Sequence, residues 1–219
     1  MAVNPSNHEP LKAIDLAGYG PVIPVIVLQR VEDAVPLARA LLDGGVRVLE
    51  VTLRTPVALQ CMEAIAKALP EAIVGAGTVR TRADVQAAKN AGCRFAVSPG
   101  YLDEIGLACR DAGLPLLPGV ATASEVMQAQ AGGFDFLKFF PATAAGGLPM
   151  LKALAGPFAD VSFCPTGGIT AETAPQVLAL SNVRVCGGSW LTPQDAVDKR
   201  DWARITALAR AAGSLRSGS

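Results

Sequence analysis

The feature that most constrains the fold is a regular alternation of short apolar runs with longer amphipathic runs along the chain. The apolar runs have the length and residue types of buried strands, and they are predicted at 22–28, 46–53, 72–76, 94–98, 115–118, 134–140, 161–164 and 183–187. Helical periodicity occupies the intervals 32–43, 56–69, 81–91, 102–112, 123–132, 147–155, 171–180 and 201–212. A short helix is also predicted within 9–18, ahead of the first strand.

Strands that alternate with helices run parallel, because each crossover helix returns the chain to the same end of the sheet. Eight such units predict an α/β fold, a single-domain (β/α)8 TIM barrel with a short N-terminal helix. An open doubly wound sheet would have fewer strands, and its GxGxxG fingerprint is absent after the first strand. No linker divides the chain, so the barrel domain is predicted over 9–212, between flexible tails at 1–8 and 213–219.

Composition limits the classes of binding partner and the cellular locations that are expected for the protein. The 19 basic and 19 acidic residues balance, which argues against nucleic acid or a membrane surface as the main partner. No apolar run reaches the roughly 18 residues of a transmembrane helix, and the N-terminus does not resemble a secretory signal. Five cysteines without a CxxC pair are typical of reduced thiols in a cytoplasmic protein. Cys164 and Cys186 lie in apolar runs and are predicted to be core residues.

Histidine chemistry is nearly excluded, because the one histidine, His8, lies in the polar N-terminal segment. Serine–histidine triads and histidine-bound zinc are therefore not expected. No cluster of aspartate and glutamate suggests a magnesium site, so neither a metal nor a cofactor is expected. Any catalysis is predicted to depend on lysine and carboxylate groups.

Lys138 is the most unusual residue in an apolar run, within FDFLKFFPA at 134–142. Strand alternation places it on one face with Phe136 and Phe140, while Leu137 and Phe139 point the other way. A strand lysine can extend to the rim of the sheet or pair with a carboxylate. Burial would instead disfavour the charged form of the lysine and supply a neutral amine as a nucleophile.

Polar residues gather at the carboxyl ends of the predicted strands, where barrel active sites lie. Glu50, Thr52 and Arg54 share one face of the second strand. Glu50 could pair with Lys138 or Arg54, or it could carry protons beside a lysine amine. Arg54 suits a substrate carboxylate held by two hydrogen bonds, although an arginine at a strand end could equally face solvent. Thr78 and Pro99 could line the same pocket or serve only in turns, as their positions after the third and fourth strands allow.

Two glycine pairs, Gly167–Gly168 and Gly187–Gly188, follow the seventh and eighth strands, with Thr166 and Ser189 beside them. Barrels often bind phosphate at this position through backbone N–H groups. Glycine pairs also serve simply as tight turns. Their occurrence on two neighbouring strands favours a phosphate site.

The eight runs PVIPVIVL, GGVRVLEVTLRT, EAIVGAGTV, FAVSPG, FLKFFPA, AGPF, FCPTGGI and GGSWL occur in this order from about residue 20 to 192. Together they resemble the 2-keto-3-deoxy-6-phosphogluconate (KDPG) aldolases, the class I members of the KDPG/KHG aldolase family. The resemblance implies a lyase of the Entner–Doudoroff pathway that reversibly cleaves KDPG to pyruvate and D-glyceraldehyde 3-phosphate. It also implies activity on 4-hydroxy-2-oxoglutarate, slow decarboxylation of oxaloacetate, a cytoplasmic homotrimer and no metal.

The resemblance also assigns roles to particular residues. Lys138 would form the Schiff base, and Glu50 would act as general acid and base. The remaining contacts would hold the substrate: Arg54 and Thr78 the pyruvate carboxylate, Pro99 and Phe140 the pyruvate pocket, Thr166 the sugar hydroxyls, and Gly167, Gly168, Gly188 and Ser189 the phosphate.

Three alternatives stay open at this point. A 2-keto-3-deoxy-6-phosphogalactonate aldolase would differ only in the configuration at C4. A non-covalent phosphosugar isomerase or decarboxylase on the same barrel would form no imine. A barrel that binds phosphate without catalysis would have no use for Glu50 beside Lys138.

Overall fold

The computed structural model describes residues 11–216, so the whole predicted N-terminal tail, 1–8, and residues 217–219 of the predicted C-terminal tail lie outside the described part. The predicted N-terminal helix is observed as a 3-10 helix, Ala13–Tyr19, and residues 9 and 10 of that prediction fall outside the described residues. The strands lie close to the predicted runs: β1 Val22–Ile26, β2 Val48–Thr52, β3 Ile73–Gly77, β4 Phe95–Val97, β5 Leu116–Leu117, β6 Gly119–Val120, β7 Phe136–Phe139, β8 Ser162–Pro165 and β9 Cys186–Gly188.

The predicted fifth strand, 115–118, differs most from the prediction, because it is divided at Pro118 into β5 and β6. Proline has no N–H to donate to a ladder, so the strand is interrupted there. The Pro118 carbonyl still accepts a 2.8 Å hydrogen bond from the backbone N–H of Lys138. The interruption therefore leaves the chain in place beside β7.

Every strand pairing is parallel, as the alternation predicts. One sheet has six strands in the order β5-β4-β3-β2-β1-β9, and a second has three in the order β6-β7-β8. Two isolated parallel bridges, Phe163 with Val183 and Thr166 with Gly187, connect β8 to the segment that contains β9. The architecture is an α/β fold with a curled parallel sheet.

Helices cover the outside of the sheet at α1 Ala34–Asp43, α2 Ala58–Ala68, α3 Arg82–Asn90, α4 Asp103–Asp111, α5 Ala123–Ala131, α6 Gly147–Ala155, α7 Ala174–Leu178, α8 Gln194–Asp198 and α9 Trp202–Gly213. Helix α8 is not predicted from the sequence; it is a single short turn that follows Pro193. Thr81 and Thr122 start α3 and α5 with reciprocal capping boxes. A final 3-10 turn, Ser214–Arg216, lies within the segment predicted as a tail. No helix among residues 11–216 has the length and apolar character needed to cross a membrane.

The buried side chains separate into an inner and an outer layer. The inner layer fills the concave side of the sheet with Leu16, Ile23, Val48, Ile73, Phe95, Val97, Leu117, Phe136, Cys164 and Val185. The outer layer lies between the sheet and the helices, and it includes Leu137, Phe139 and Cys186. Both cysteines predicted to be core residues are buried. In β2, β3 and β7 the inner apolar residue is the first of the strand, Val48, Ile73 and Phe136, and the polar residues Glu50 and Lys138 lie nearer the carboxyl ends of β2 and β7.

Candidate active site

Lys138 and Glu50 form a buried pair at the centre of the site. The Nζ of Lys138 donates a 3.0 Å hydrogen bond to Oε1 of Glu50, and the side chains are 7% and 3% exposed. The residues are 88 positions apart in sequence, on strands of two different sheets. Of the simple alternatives, extension of Lys138 to a solvated rim is excluded, and pairing of Glu50 with Lys138 is observed.

The predicted alternation along β7 is confirmed. Phe136 belongs to the inner layer, whereas Leu137 and Phe139 pack in the outer layer beneath the helices. Lys138 therefore points to the concave side, and its Nζ lies 5.2 Å from the centre of the Phe140 ring. A cation at this distance is attracted by the ring face, so Phe140 helps to hold the amine in the pocket.

A cavity of about 220 Å³ surrounds the pair. It brings together seven of the residues predicted for the site with two others, and its lining is Val25, Glu50, Thr52, Arg54, Thr78, Pro99, Lys138, Phe140 and Thr166. Thr52 could have been assigned from the sequence because it shares a face with Glu50 and Arg54. Val25 is directly beside Glu50 in the β1–β2 register, and no local sequence signal marks it.

The residues at the entrance to the cavity differ in their exposure to solvent. Arg54 is exposed while it also lines the cavity, and Thr78 and Pro99 are half-buried. An exposed guanidinium and a buried amine give the cavity two basic groups, and of these two only a lysine amine can act as a nucleophile. Such a cavity is suited to a small anion with a reactive carbon.

Thr78 has an unusual backbone conformation, with φ +64°. A β-branched residue rarely adopts this left-handed conformation, and the strain costs on the order of 1–3 kcal/mol. Thr78 directly follows β3 and lines the cavity. Strained residues of this kind cluster at functional sites, so the conformation is consistent with a role for Thr78 in binding.

The residues predicted to hold phosphate do not line this cavity: Gly167, Gly168, Gly188 and Ser189. They adjoin it through Thr166, which lies in the lining, precedes Gly167 and bridges to Gly187. Gly167 and Gly168 have φ +98° and +77°, which glycine adopts readily and other residues rarely do. The Gly167 carbonyl accepts a 3.0 Å hydrogen bond from the N–H of Thr143, which ties this loop to the one after β7.

Cys164 lies opposite Lys138 in the β7–β8 register and is fully buried. Burial raises the pKa of its thiol to about 12, although the Lys138 ammonium acts in the opposite direction. The thiol stays protonated at neutral pH and cannot compete with Lys138 as a nucleophile. Among residues 11–216, no three histidine, cysteine or acidic side chains converge as metal ligands would.

Comparisons with known proteins point to one family. The profile of the family described as KDPG and KHG aldolase matches residues 15–208. The chain is 50% identical over 204 residues to the 2-dehydro-3-deoxy-phosphogluconate aldolase of Pseudoalteromonas atlantica, covering 93% of this chain and 95% of that one. It is 52% identical to the KHG/KDPG aldolase of Escherichia coli K12, covering 88% and 91%.

A solved structure is also closely similar. The KDPG aldolase of Legionella pneumophila, with pyruvate captured as a covalent carbinolamine intermediate, superposes with a TM-score of 0.91 at 47% identity. The match covers 93% of this chain and 99% of that one.

Proposed function

The chain belongs to the KDPG and KHG aldolase family, and we propose that it cleaves 2-keto-3-deoxy-6-phosphogluconate to pyruvate and D-glyceraldehyde 3-phosphate through a Schiff base on Lys138. The observation that carries the proposal is the buried contact of 3.0 Å between the Lys138 amine and the Glu50 carboxylate inside a small cavity. This pair supplies a nucleophile and a proton acceptor at one place. The covalent carbinolamine of pyruvate captured in the Legionella relative supports a Schiff-base mechanism.

The reaction begins when Lys138 transfers a proton to Glu50 and its neutral amine attacks C2 of the substrate. The new C–N bond gives a carbinolamine, which loses its hydroxyl group as water to form a protonated imine. Glu50, at 3.0 Å from the amine, is placed to take the proton from the amine and to give a proton to the departing hydroxyl group. The positive imine nitrogen then accepts the electrons of the bond that breaks.

The second stage breaks the bond between C3 and C4. Glu50 takes the proton of the C4 hydroxyl, the C4–O bond becomes a carbonyl, and the C3–C4 electron pair moves into an enamine. Glyceraldehyde 3-phosphate leaves, and the enamine takes a proton at C3 from Glu50. Water then adds to the imine carbon and releases pyruvate and the free amine, which balances the water lost in the first stage.

The other residues hold the two ends of the substrate. Arg54 and Thr78 bind the carboxylate of the pyruvate half, and Pro99 and Phe140 enclose its methyl and carbonyl carbons. Thr166 contacts the sugar hydroxyls, and Gly167, Gly168, Gly188 and Ser189 bind the phosphate. The cavity lining supports the first group, and the position of the glycines next to Thr166 supports the second.

We infer further that the curled sheet closes into a (β/α)8 barrel. The two sheets are separated by Pro118 alone at one side, and the bridges from Phe163 and Thr166 connect β8 to the β9 segment at the other. A homotrimer that resides in the cytoplasm is the expected assembly. The five buried cysteine thiols are consistent with a reducing compartment.

Borohydride reduction in the presence of pyruvate tests the proposal. The full chain should gain the mass of a reduced pyruvyl adduct on Lys138, and the Lys138→Ala variant should gain none. An adduct that persists in the variant, or the absence of one in the parent, would remove Lys138 from its role. A non-covalent isomerase or decarboxylase would give no adduct in either protein.

A second substrate is also proposed, because the E. coli relative is named KHG/KDPG aldolase. 4-Hydroxy-2-oxoglutarate presents the same 2-keto acid to Lys138 but carries a carboxylate where KDPG carries its phosphorylated chain. Steady-state rates on this substrate, on KDPG and on its C4 epimer measure the preference directly. Cleavage of KDPG is expected to be the fastest, and faster cleavage of the epimer would indicate a galactonate enzyme.

A further inference from the structure

We propose that Gly77 is a positioning residue that holds the Glu50 carboxylate against Lys138, and that Gly187 holds Thr166 in the same way. The inference rests on the roles given above to Glu50 and Thr166. Each glycine lies on a strand next to that of its partner, on the concave side of the sheet, and each leaves a notch that the partner's side chain fills. The absence of a side chain at these two positions is therefore part of the active site.

The notch at Gly77 is occupied by the functional part of Glu50. A Cβ atom built on Gly77 would lie 2.5 Å from Oε1 of Glu50, 2.7 Å from its Cγ and 3.0 Å from its Cδ. Oε1 is the same oxygen that accepts the hydrogen bond from Lys138. Any side chain at residue 77 would displace the atom that contacts the reacting amine.

Glu50 has little freedom to retreat from such a contact. Its side chain is 3% exposed, and Val25 lies beside it on β1 in the strand register. The contact with a Cβ at residue 77 would involve Cγ in the middle of the side chain as well as the carboxylate at its end. Rotation of the carboxylate alone would therefore not relieve the contact.

The notch at Gly187 is occupied by Thr166. A Cβ atom on Gly187 would collide with the Thr166 hydroxyl, and it would lie 2.9 Å from Cγ2 and 3.0 Å from Cβ of that threonine. Thr166 is buried, and its hydroxyl donates a 3.3 Å hydrogen bond to the Cys164 carbonyl. A β-branched side chain has few alternative rotamers, so Thr166 would have to move as a whole.

Backbone conformation does not explain either glycine. Neither Gly77 nor Gly187 has a positive φ, so the backbone at both positions can accommodate alanine. Both are buried in strands, where alanine is otherwise at least as stable as glycine. Space for the neighbouring side chain is the remaining reason for glycine at these positions.

The proposal is tested by two substitutions of the same kind, Gly77→Ala and Gly187→Ala, in the full chain. Gly77→Ala should keep borohydride trapping with pyruvate, while kcat for KDPG cleavage and the exchange of pyruvate methyl protons with D2O both fall about 100-fold. Gly187→Ala should lower kcat/KM for KDPG about tenfold and change pyruvate proton exchange less than about twofold. Proton exchange uses Lys138 and Glu50 but no sugar contact, so it separates the two glycines.

The matched control is Gly213→Ala, at an exposed glycine of α9 where an added Cβ would meet no atom within 4 Å. It should keep trapping, exchange and cleavage at the parental values. Equal losses of all three activities in Gly77→Ala and Gly187→Ala would overturn the proposal, because they would indicate general damage to packing. Parental exchange and cleavage in Gly77→Ala would overturn it as well.

A double-mutant cycle on stability tests the contact without using activity. Gly77→Ala should lower the thermal midpoint when Glu50 is present and should have little effect in a Glu50→Ala background, because that change removes Cγ, Cδ and Oε1. If Gly77→Ala alone fails to fold, recovery of folded protein in the double variant gives the same result. An equal loss in both backgrounds would overturn the proposal, and the absence of pyruvate trapping in the parent would instead overturn the proposed function.

Discussion

Glu50 and Asp33 are carboxylates buried to the same extent, with 3% of each side chain exposed, yet their surroundings differ. Glu50 contacts one lysine that is itself buried. Asp33 accepts hydrogen bonds from Nε of Arg30 at 2.6 Å and from Nε of Arg200 at 2.8 Å, and these arginines are 44% and 51% exposed. The Lys138–Glu50 pair lines a cavity, whereas Asp33, in the 3-10 helix Val31–Asp33, is linked to Arg200, just before α9, across 167 residues.

The comparison teaches that burial and charge do not by themselves distinguish a catalytic carboxylate from a structural one. An arginine remains charged at any pH a folded protein encounters, so neither Arg30 nor Arg200 can supply a nucleophilic amine beside Asp33. A lysine can lose its proton and then act as a nucleophile. A fully enclosed ion pair is also a weak source of stability, because desolvation offsets the attraction. The Lys138–Glu50 pair is therefore explained by a catalytic role. The cluster of Asp33 with Arg30 and Arg200 is explained by a structural role, because it connects distant segments of the chain.

The largest effect is expected for Lys138→Arg, which gives the catalytic carboxylate an arginine partner like those of Asp33. The variant keeps the positive charge beside Glu50 but cannot form an imine, so KDPG cleavage should fall by on the order of 10⁴-fold or more. Unfolding in urea should change by much less than the roughly 3–5 kcal/mol expected when one partner of a buried pair is removed, since the ion pair persists. Turnover above a hundredth of the parental rate would contradict the assignment.

The next largest effect is expected for Glu50→Gln, which keeps the shape of the side chain and removes its charge. Cleavage should fall by about 10²–10⁴-fold, because the general acid and base is lost. Imine formation with pyruvate should be slow but still detectable by borohydride trapping. A variant that cleaves KDPG at near-normal rates would show that another group carries the protons.

The matching change in the structural cluster, Asp33→Asn, should give the opposite pattern. Loss of the charge weakens two charge-assisted hydrogen bonds, so the free energy of unfolding should fall by about 1–3 kcal/mol. The exposed arginines stay solvated, which keeps the loss from being larger. Because Asp33 does not line the cavity, kcat should stay within about threefold of the parent. A loss of activity without a loss of stability would place Asp33 in the active site.

The smallest effect is expected at a surface ion pair that is neither buried nor part of the cavity lining. Lys67 and Glu63 lie 2.6 Å apart on α2, four residues from each other and largely exposed. Lys67→Gln should cost about 0.3–0.5 kcal/mol in urea unfolding and leave activity unchanged. A loss of stability as large as that of Asp33→Asn would mean that the contribution of an ion pair to stability does not depend on its burial.

Several features of the site could be predicted from local sequence pattern alone. The period of two along a strand placed Lys138 opposite to Leu137 and Phe139, and Glu50 on one face with Thr52 and Arg54. The alternation of strands and helices predicted parallel strands with their carboxyl ends together. Seven residues predicted for the site do line one cavity. These predictions work because side-chain direction and strand polarity are properties of a few consecutive residues.

Other features depend on contacts between distant segments and could not be predicted in this way. Pro118 divides a strand, Val25 reaches the cavity beside Glu50, and Arg200 meets Asp33 across most of the chain. The sequence by itself determined which side chains point inward and that an amine and a carboxylate lie among them. Only the tertiary structure decided that these two groups meet at 3.0 Å and that Gly77 leaves room for them, because the curvature and register of the sheet set such distances.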